Sequence, residues 1–584
     1  MKMSASTTYS TAFTALNVLS IALLSAVLLF AGIYLFSYVK FQLDFHKFNA
    51  ASDGTNLRAP HLPFAIPWVG NAPSFLSMTP HKFWSELFSW YPRSAGACSI
   101  TLGGNPTAVI FNAPASQYLL RDRKLGRDQF NVQITSQGLG LSLAESELYY
   151  QHHTPVKQGE LPGHVENDKI HVEYMLKTER VNEMTAEFVH SLRQQVSQEL
   201  KDTSGEISLN KWLRRIMFHA STTALLGSKI LEVIPDLEHL FFQFDQDMLS
   251  MFFGLPKFMI PKQVANRDKA VNAYIKWHET VAKESDGKIV DPEAVAWEPL
   301  YGSRLNRARQ LGYRKKNLPV RAASGLDLGM TFGISSNAIP AAGWMLMHIL
   351  DSTRPENKVK GEPTLYEHIM SELAESQNPD GTLNIPTLIN QPILLSTLHE
   401  VLRIYVDTLV SRQVPTDLSL PLSHAPAPAS TSSPTPGSQK EQPQRSLFLK
   451  AGSLIMMPTY PAHTNPDTWQ NPDQPPPNIF FPYRFLTAPP TATASDKPIF
   501  TTAPYNGMFF PFGGGKTICP GRVFAKQEII ASVAVVLLAF EFDVLGYVDG
   551  KGKATGSFPG LRDTLPGSAV MVASGDVRVN VKRR

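Results

Sequence analysis

Cysteine is scarce in this chain. Two occur in 584 residues, Cys98 and Cys519, too few for a disulfide framework and in keeping with a reducing compartment. Charge is missing from one end: no Asp, Glu, Lys or Arg lies between Lys2 and Lys40. No long basic run appears, and a formal net charge of +4 is too weak to imply nucleic acid as a partner. What is plentiful is apolar surface. At 43% apolar residues a large core is possible, and length alone suggests several domains.

The charge-free end is rich in Leu, Ile, Val, Phe and Ala over 12–39. About 20 such residues span a bilayer, so this stretch is long enough to cross with some tilt. A cleaved signal peptide would carry a shorter apolar core ending in a small-residue site. Lys40, Lys47 and Arg58 follow the segment and Lys2 alone precedes it. That bias predicts a single pass with 1–11 in the lumen and the body in the cytosol. The basic, proline-rich stretch 40–70 then reads as a stiff hinge, since spaced prolines fix φ.

Periodicity fills in the body. Helices are predicted over 82–90, 209–226 and 237–252, and helical spacing runs through 167–198. The β-rich stretch 99–111, interrupted by Gly103-Gly104, predicts a hairpin. Residues 327–351 are apolar and charge-poor, which predicts a long buried helix kinked at Pro340. Ser335, Ser336 and Asn337 at its centre argue against a second membrane span. The Ser/Pro/Ala/Gln-rich stretch 421–446 lacks apolar periodicity and reads as a disordered surface insertion.

The most informative segment runs from Phe512 to Arg522, F-G-G-G-K-T-I-C-P-G-R, directly ahead of the apolar run 523–540. A thiolate at Cys519 can be the axial ligand of a haem iron and favour O–O cleavage. Gly515 and Gly521 allow a sharp turn and close approach to a flat macrocycle. Phe512 can cover the sulfur, and the following helix aims its N–H groups near it. The pattern F-x-x-G-x-x-x-C-x-G resembles the haem-binding signature of the cytochrome P450 family. The alternative is a structural cysteine in a glycine-rich turn.

Other segments extend the resemblance. Glu400 and Arg403 stand three apart on a predicted helix and can pair. Arg484 lies in Phe481-Pro482-Tyr483-Arg484-Phe485, similar to the family's P-E-R-F turn with Tyr483 in place of the acid. The resemblance implies a buried triad of Glu400, Arg403 and Arg484. It also implies propionate partners. Arg412 stands where the family places one, whereas Thr517 replaces the cation often found two residues before the cysteine, leaving His171 and Lys177 as candidates to compensate. Most oxygen-activating members carry an acid and a threonine on the central helix. Here Ser336 and Asn337 occupy those positions. That departure, with Pro340-Ala341-Ala342-Gly343-Trp344, resembles the branch of sterol and bile-acid hydroxylases and prostacyclin synthase.

The resemblance implies a mainly α fold with a small β-rich region, preceded by one transmembrane helix, with 71–584 as the haem-binding catalytic domain. It implies haem b, and NADPH and O2 as co-substrates. The implied partners are NADPH-cytochrome P450 reductase, cytochrome b5, the bilayer of the endoplasmic reticulum and a hydrophobic small molecule. The expected reaction is monooxygenation of a bulky metabolite such as a terpenoid, steroid or polyketide-derived compound in secondary metabolism. A peroxide or epoxide isomerase, and a haem-binding sensor or carrier without turnover, are the alternatives.

Overall fold

A computed structural model describes residues 5–50, 56–77, 79–122, 124–150, 167–202, 205–422, 445–488 and 497–584. They fall into two units. One holds the residues up to Gly126 with Leu409–Ala462, and the other Arg127–Thr408 with His463–Arg584.

The first unit is the β-rich one. Ala97–Leu102 and Asn105–Ile110 form the expected hairpin, with Leu102 opposite Asn105. Gly103 and Gly104 turn it with φ of 57° and 84°, the left-handed pair that a two-residue turn between right-twisted strands requires. Leu454–Pro458 and Leu409–Gln413 complete a four-stranded sheet. Cys98 is buried there, and burial pushes its thiol up, as for an inert core cysteine. The proline-rich segment is laid along the hairpin edge: Leu62 and Asn71 donate to the carbonyls of Ser99 and Thr101.

The N-terminal helix runs Ala5–Ala50, past the expected end of the anchor at residue 39. Its last turns are held by packing. Phe41 meets Trp90 and Phe45 meets Tyr91 at 5.5 and 5.3 Å between ring centres, and Phe64 donates its N–H to Ser37 Oγ. Residues 40–50, expected in the hinge, are therefore helical. Their aromatic side chains, rather than the proline run, decide the local structure. From Asn17 onward this helix is long and apolar enough to cross a membrane. Strands Leu418–Leu422 and Arg445–Leu449 pair antiparallel and take up both ends of the stretch expected to be disordered. The intervening 423–444 lies outside the described residues.

The second unit is mainly helical. Leu209–Leu226 and Leu237–Phe252 have the predicted bounds. The pattern 167–198 forms two helices, Asn167–Met175 and Thr178–Asp202, broken at Leu176-Lys177. The central helix spans Val320–Asp351 and continues through Pro340. It starts seven residues earlier than its charge-poor stretch because Pro319 caps it and Arg321 is carried on its first turn. Apolar nearly all round, it is buried against its neighbours, with Met345, Leu346, Ile349 and Leu350 fully inside. The C-terminal helix Arg522–Ala539 runs into a four-stranded sheet built on Phe540–Val548 and Asp576–Arg583.

Candidate haem–thiolate site

The Cys519 loop is shaped by its glycines. Gly513 and Gly515 adopt φ of 71° and 62°, which L side chains resist. Phe512 accepts the Cys519 N–H at 2.9 Å, while its ring packs on the core. Gly521 caps the helix Arg522–Ala539, and a Cβ there would sit 3.3 Å from Met175 Cε and 3.9 Å from Cys519 Sγ. Cys519 is open to solvent on one side and surrounded by protein on the others. Burial pushes its thiol up, and the N–H groups of Gly521 and Arg522 with the charges of Arg127 and Arg522 pull it back. The loop thus supplies donors and cations for a thiolate, and a bound metal ion would complete the deprotonation.

Residues on both sides of Cys519, from Lys516 to Arg522, line a cavity of about 480 Å³. The central helix forms its far wall with Leu326, Gly329 and Met330. Gly333 continues that face. It is exposed in the middle of a largely buried helix, with nothing within 4 Å of where a Cβ would stand. Cations gather on the lining: Arg127, Arg309, Lys516 and Arg522. Among the described residues no three His, Cys, Asp or Glu side chains converge on one point, so a metal at Cys519 needs its other ligands from a macrocycle. A flat dianionic haem fits this donor set: one thiolate, an open apolar wall and surplus positive charge.

The expected propionate partners separate. His171 lines the cavity, but burial and Arg309 push it down to about 4. It offers an N–H there rather than a charge. Lys177 does not join it. Its side chain is half exposed and pairs with Glu173 at 2.6 Å, because the helix break at Leu176-Lys177 turns it outward. Arg412 lies on the strand Leu409–Gln413 of the first unit, buried, with Nη1 donating to the Ser411 carbonyl at 2.8 Å.

Sequence reasoning missed Arg309. It is buried, its Nη1 lies 3.2 Å from Asp327 and its Nη2 donates to the Leu326 carbonyl. Its Nε has no hydrogen-bond partner among the described residues. The available signal was an arginine on the apolar face of Arg304–Lys315, in line with Leu305 and Tyr313.

Asn337 shares the helix face of Met330 and Gly333. Its Oδ1 accepts the Val570 N–H at 3.2 Å. That donor fixes the amide orientation and leaves the NH2 end without a partner among the described residues. Ser336 turns away, and its Oγ donates to Asp245 on Leu237–Phe252. The two residues at the acid and threonine positions therefore bond different neighbours, Asp245 and Val570.

The triad meets. Glu400 accepts from Arg403 Nε and Nη2 at 2.7 and 2.8 Å, from Arg484 Nε at 3.1 Å and from the Phe481 N–H at 2.9 Å. Arg484 also donates to the carbonyls of Pro475 and Ile479 at 3.2 Å. Tyr483 leaves the triad for His368 Nδ1, 2.9 Å from its hydroxyl.

The family model described as Cytochrome P450 matches residues 60–294 and 443–558. The chain is 25% identical over 553 residues to cytochrome P450 monooxygenase calL of Penicillium decumbens, covering 89% of this chain and 96% of that protein. To cytochrome P450 monooxygenase fsoE of Humicola fuscoatra it is 26% identical, covering 91% and 89%. A more distant similarity, 22% over 40% of this chain and 41% of the relative, is to the 7-alpha-hydroxycholest-4-en-3-one 12-alpha-hydroxylase of Homo sapiens. Among solved structures, retinoic acid bound cyanobacterial CYP120A1 shares the fold, with TM-score 0.56 and 17% identity over 91% of this chain and 100% of that one.

Proposed function

The chain belongs to the cytochrome P450 family, and from that premise we propose that it oxidises a bulky hydrophobic metabolite such as a terpenoid, steroid or polyketide-derived compound. It is an oxidoreductase of the haem–thiolate monooxygenase class. Haem supplies O2 activation and insertion of one oxygen atom into substrate. The observation that carries the reading is the Cys519 loop opening on a cavity walled by the apolar face of the central helix.

The chain's own residues have separate tasks. Cys519 would hold the iron through its sulfur, and Phe512, Gly515 and Gly521 shape its loop. Arg127, Arg309 and Arg522, with the His171 N–H, would hold the propionates of haem b. Leu326, Met330 and Phe332 exclude water and press substrate into place. Asn337 presents its NH2 as a fixed donor. An amide is a poor acid, so it orients a solvent molecule or substrate oxygen and the proton comes from elsewhere.

Electrons come from NADPH through NADPH-cytochrome P450 reductase, with cytochrome b5 as an accessory donor. The apolar N-terminal helix anchors the protein in the endoplasmic reticulum membrane with the body cytosolic. The 12-alpha-hydroxylase among the relatives supports the sterol and bile-acid hydroxylase branch. Comparing metabolites in cells with and without the protein tests the reading. The substrate accumulates when the protein is absent, and purified protein with reductase consumes NADPH only when that compound is added. A second reading, isomerisation of a peroxide or epoxide, is favoured by one observation, the absence of an acid and a threonine at 336 and 337. Turnover of a hydroperoxide without NADPH would select it.

A further inference from the structure

Monooxygenation has a proton requirement: R–H + O2 + 2e⁻ + 2H⁺ gives R–OH + H2O. The central-helix carboxylate beside the Cys519 cavity, Asp327, is buried and held by Arg309, His278, Gln310 and Tyr313. The turn around Asn337 carries no acid, and Asn337 cannot supply protons. A second cavity, of about 700 Å³, lies at the central helix and is lined there by Ser335, Ser336 and Pro340. Its other walls come from the helices beginning at Leu209 and Leu237 and from segments near Arg562 and Asp576.

Three carboxylates line this second cavity: Asp245, Asp549 and Asp576. Two are occupied elsewhere. Asp576 accepts from Ser208 Oγ and from the N–H groups of Asn210 and Lys211, and Asp549 accepts from Lys551 and Lys553 N–H in its own turn. Asp245 alone of the three bonds the central helix, through Ser336 Oγ. Ser336 is also the residue whose carbonyl lost its helical donor, because position 340 is proline. Its hydroxyl and free carbonyl therefore mark a polar gap in an apolar helix, one residue from Asn337.

We propose that Asp245 replaces, from a neighbouring helix, the acid missing from position 336 of the central helix, passing protons from the second cavity through Ser336 toward Asn337. Asp245 gives its proton to Ser336 Oγ while the Ser336 proton moves on to solvent held at the Ser336 carbonyl and the Asn337 amide. Solvent in the second cavity then reprotonates Asp245. Asp245 acts through Ser336 and is a proton-supplying, positioning residue rather than one that touches substrate. The charged groups facing it are Arg562 and Arg214, with Lys211 on the same lining. Burial pushes its carboxyl up to about 6, against the pull of Ser336 and the two arginines. It therefore exchanges protons near neutral pH.

This inference rests on the monooxygenase reading, and its test separates the two. Asp245→Asn keeps an acceptor for Ser336 and removes the titrating proton. In the haem-loaded full chain without turnover, infrared difference spectra between pH 5 and 8 should show a carboxyl band titrating near 6, absent from Asp245→Asn. With reductase and substrate, product per NADPH should fall about 10-fold or more in Asp245→Asn and in Ser336→Ala, with peroxide rising, since positioned acid–base groups are worth about 10²–10⁴ in rate. Asp245→Glu should restore coupling, and Ser335→Ala should leave it unchanged. Wild-type coupling should decline as pH rises through about 6, and the decline should vanish in Asp245→Asn. An Asp245→Asn protein with normal coupling and an unchanged pH profile, or no titrating band, overturns the role of Asp245 and leaves the monooxygenase reading standing. Wild-type turnover of a hydroperoxide without NADPH overturns both, because isomerisation consumes no external proton.

Discussion

Glu400→Gln is the substitution for which the structure gives the clearest magnitude. The carboxylate is fully buried and pairs with two buried guanidinium groups, Arg403 and Arg484, as their one anion among the described residues. Gln keeps one oxygen and puts an NH2 group opposite a guanidinium N–H, so one charge-assisted hydrogen bond, worth about 1.5–3 kcal/mol, becomes a donor–donor contact. Two cations also lose their counter-charge, and breaking a buried pair typically costs about 3–5 kcal/mol. Against a total stability of roughly 5–15 kcal/mol, that is enough to empty the folded state of much of its haem. The assay is haem per polypeptide with the apparent thermal midpoint. A cycle with Arg484→Gln adds a sharper test. Removing one uncompensated cation should recover part of the loss, though not all, since Arg484 also holds the carbonyls of Pro475 and Ile479. A Glu400→Gln protein within about 1 kcal/mol of wild type, with full haem, would refute the reasoning.

Three further outcomes are expected. Glu528 is buried, accepts from Ser221, and is pushed up to about 8 by burial. Its folded value lies above its unfolded one, so its contribution is complete below about pH 4.5 and is lost as pH rises through about 8. Glu528→Gln should flatten the fall in thermal midpoint across that window, and an unchanged slope counts against it. Gly333→Leu adds a side chain into open space on the helix face that carries the cavity-lining Gly329 and Met330. It should leave stability level or slightly higher while weakening binding of large ligands by about 10-fold or more, read from the haem absorption shift on titration. Deleting residues 1–36 should release a folded haem protein from membranes, whereas deleting 1–50 should also cost stability, because Phe41 and Phe48 are buried. Equal midpoints for the two truncations would contradict that packing.

Much of the site was legible because it is local in sequence. The Cys519 loop, the Glu400–Arg403 spacing and the central helix each sit within a few turns of chain, so local spacing read with the family resemblance picked them out. Arg484 was legible through its motif. What stayed hidden depends on distant partners. Whether a cation reaches the cavity is decided by helix rotation, which put Arg309 inside and Lys177 on the surface. Ser336 stands at the position of the family's acid, but its partner could not be read locally, because Asp245 lies 91 residues upstream. The helix bound has the same origin: aromatic contacts with distant residues extend the N-terminal helix to Ala50.

The central claim is that Cys519 holds iron as a thiolate, and the reduced carbon monoxide complex tests it most directly. The wild-type protein should show the red-shifted Soret band of thiolate ligation, and Cys519→Ala should lose that band while Cys98→Ala retains it, since Cys98 is buried in the first unit. A red-shifted band that survives in Cys519→Ala would contradict the account.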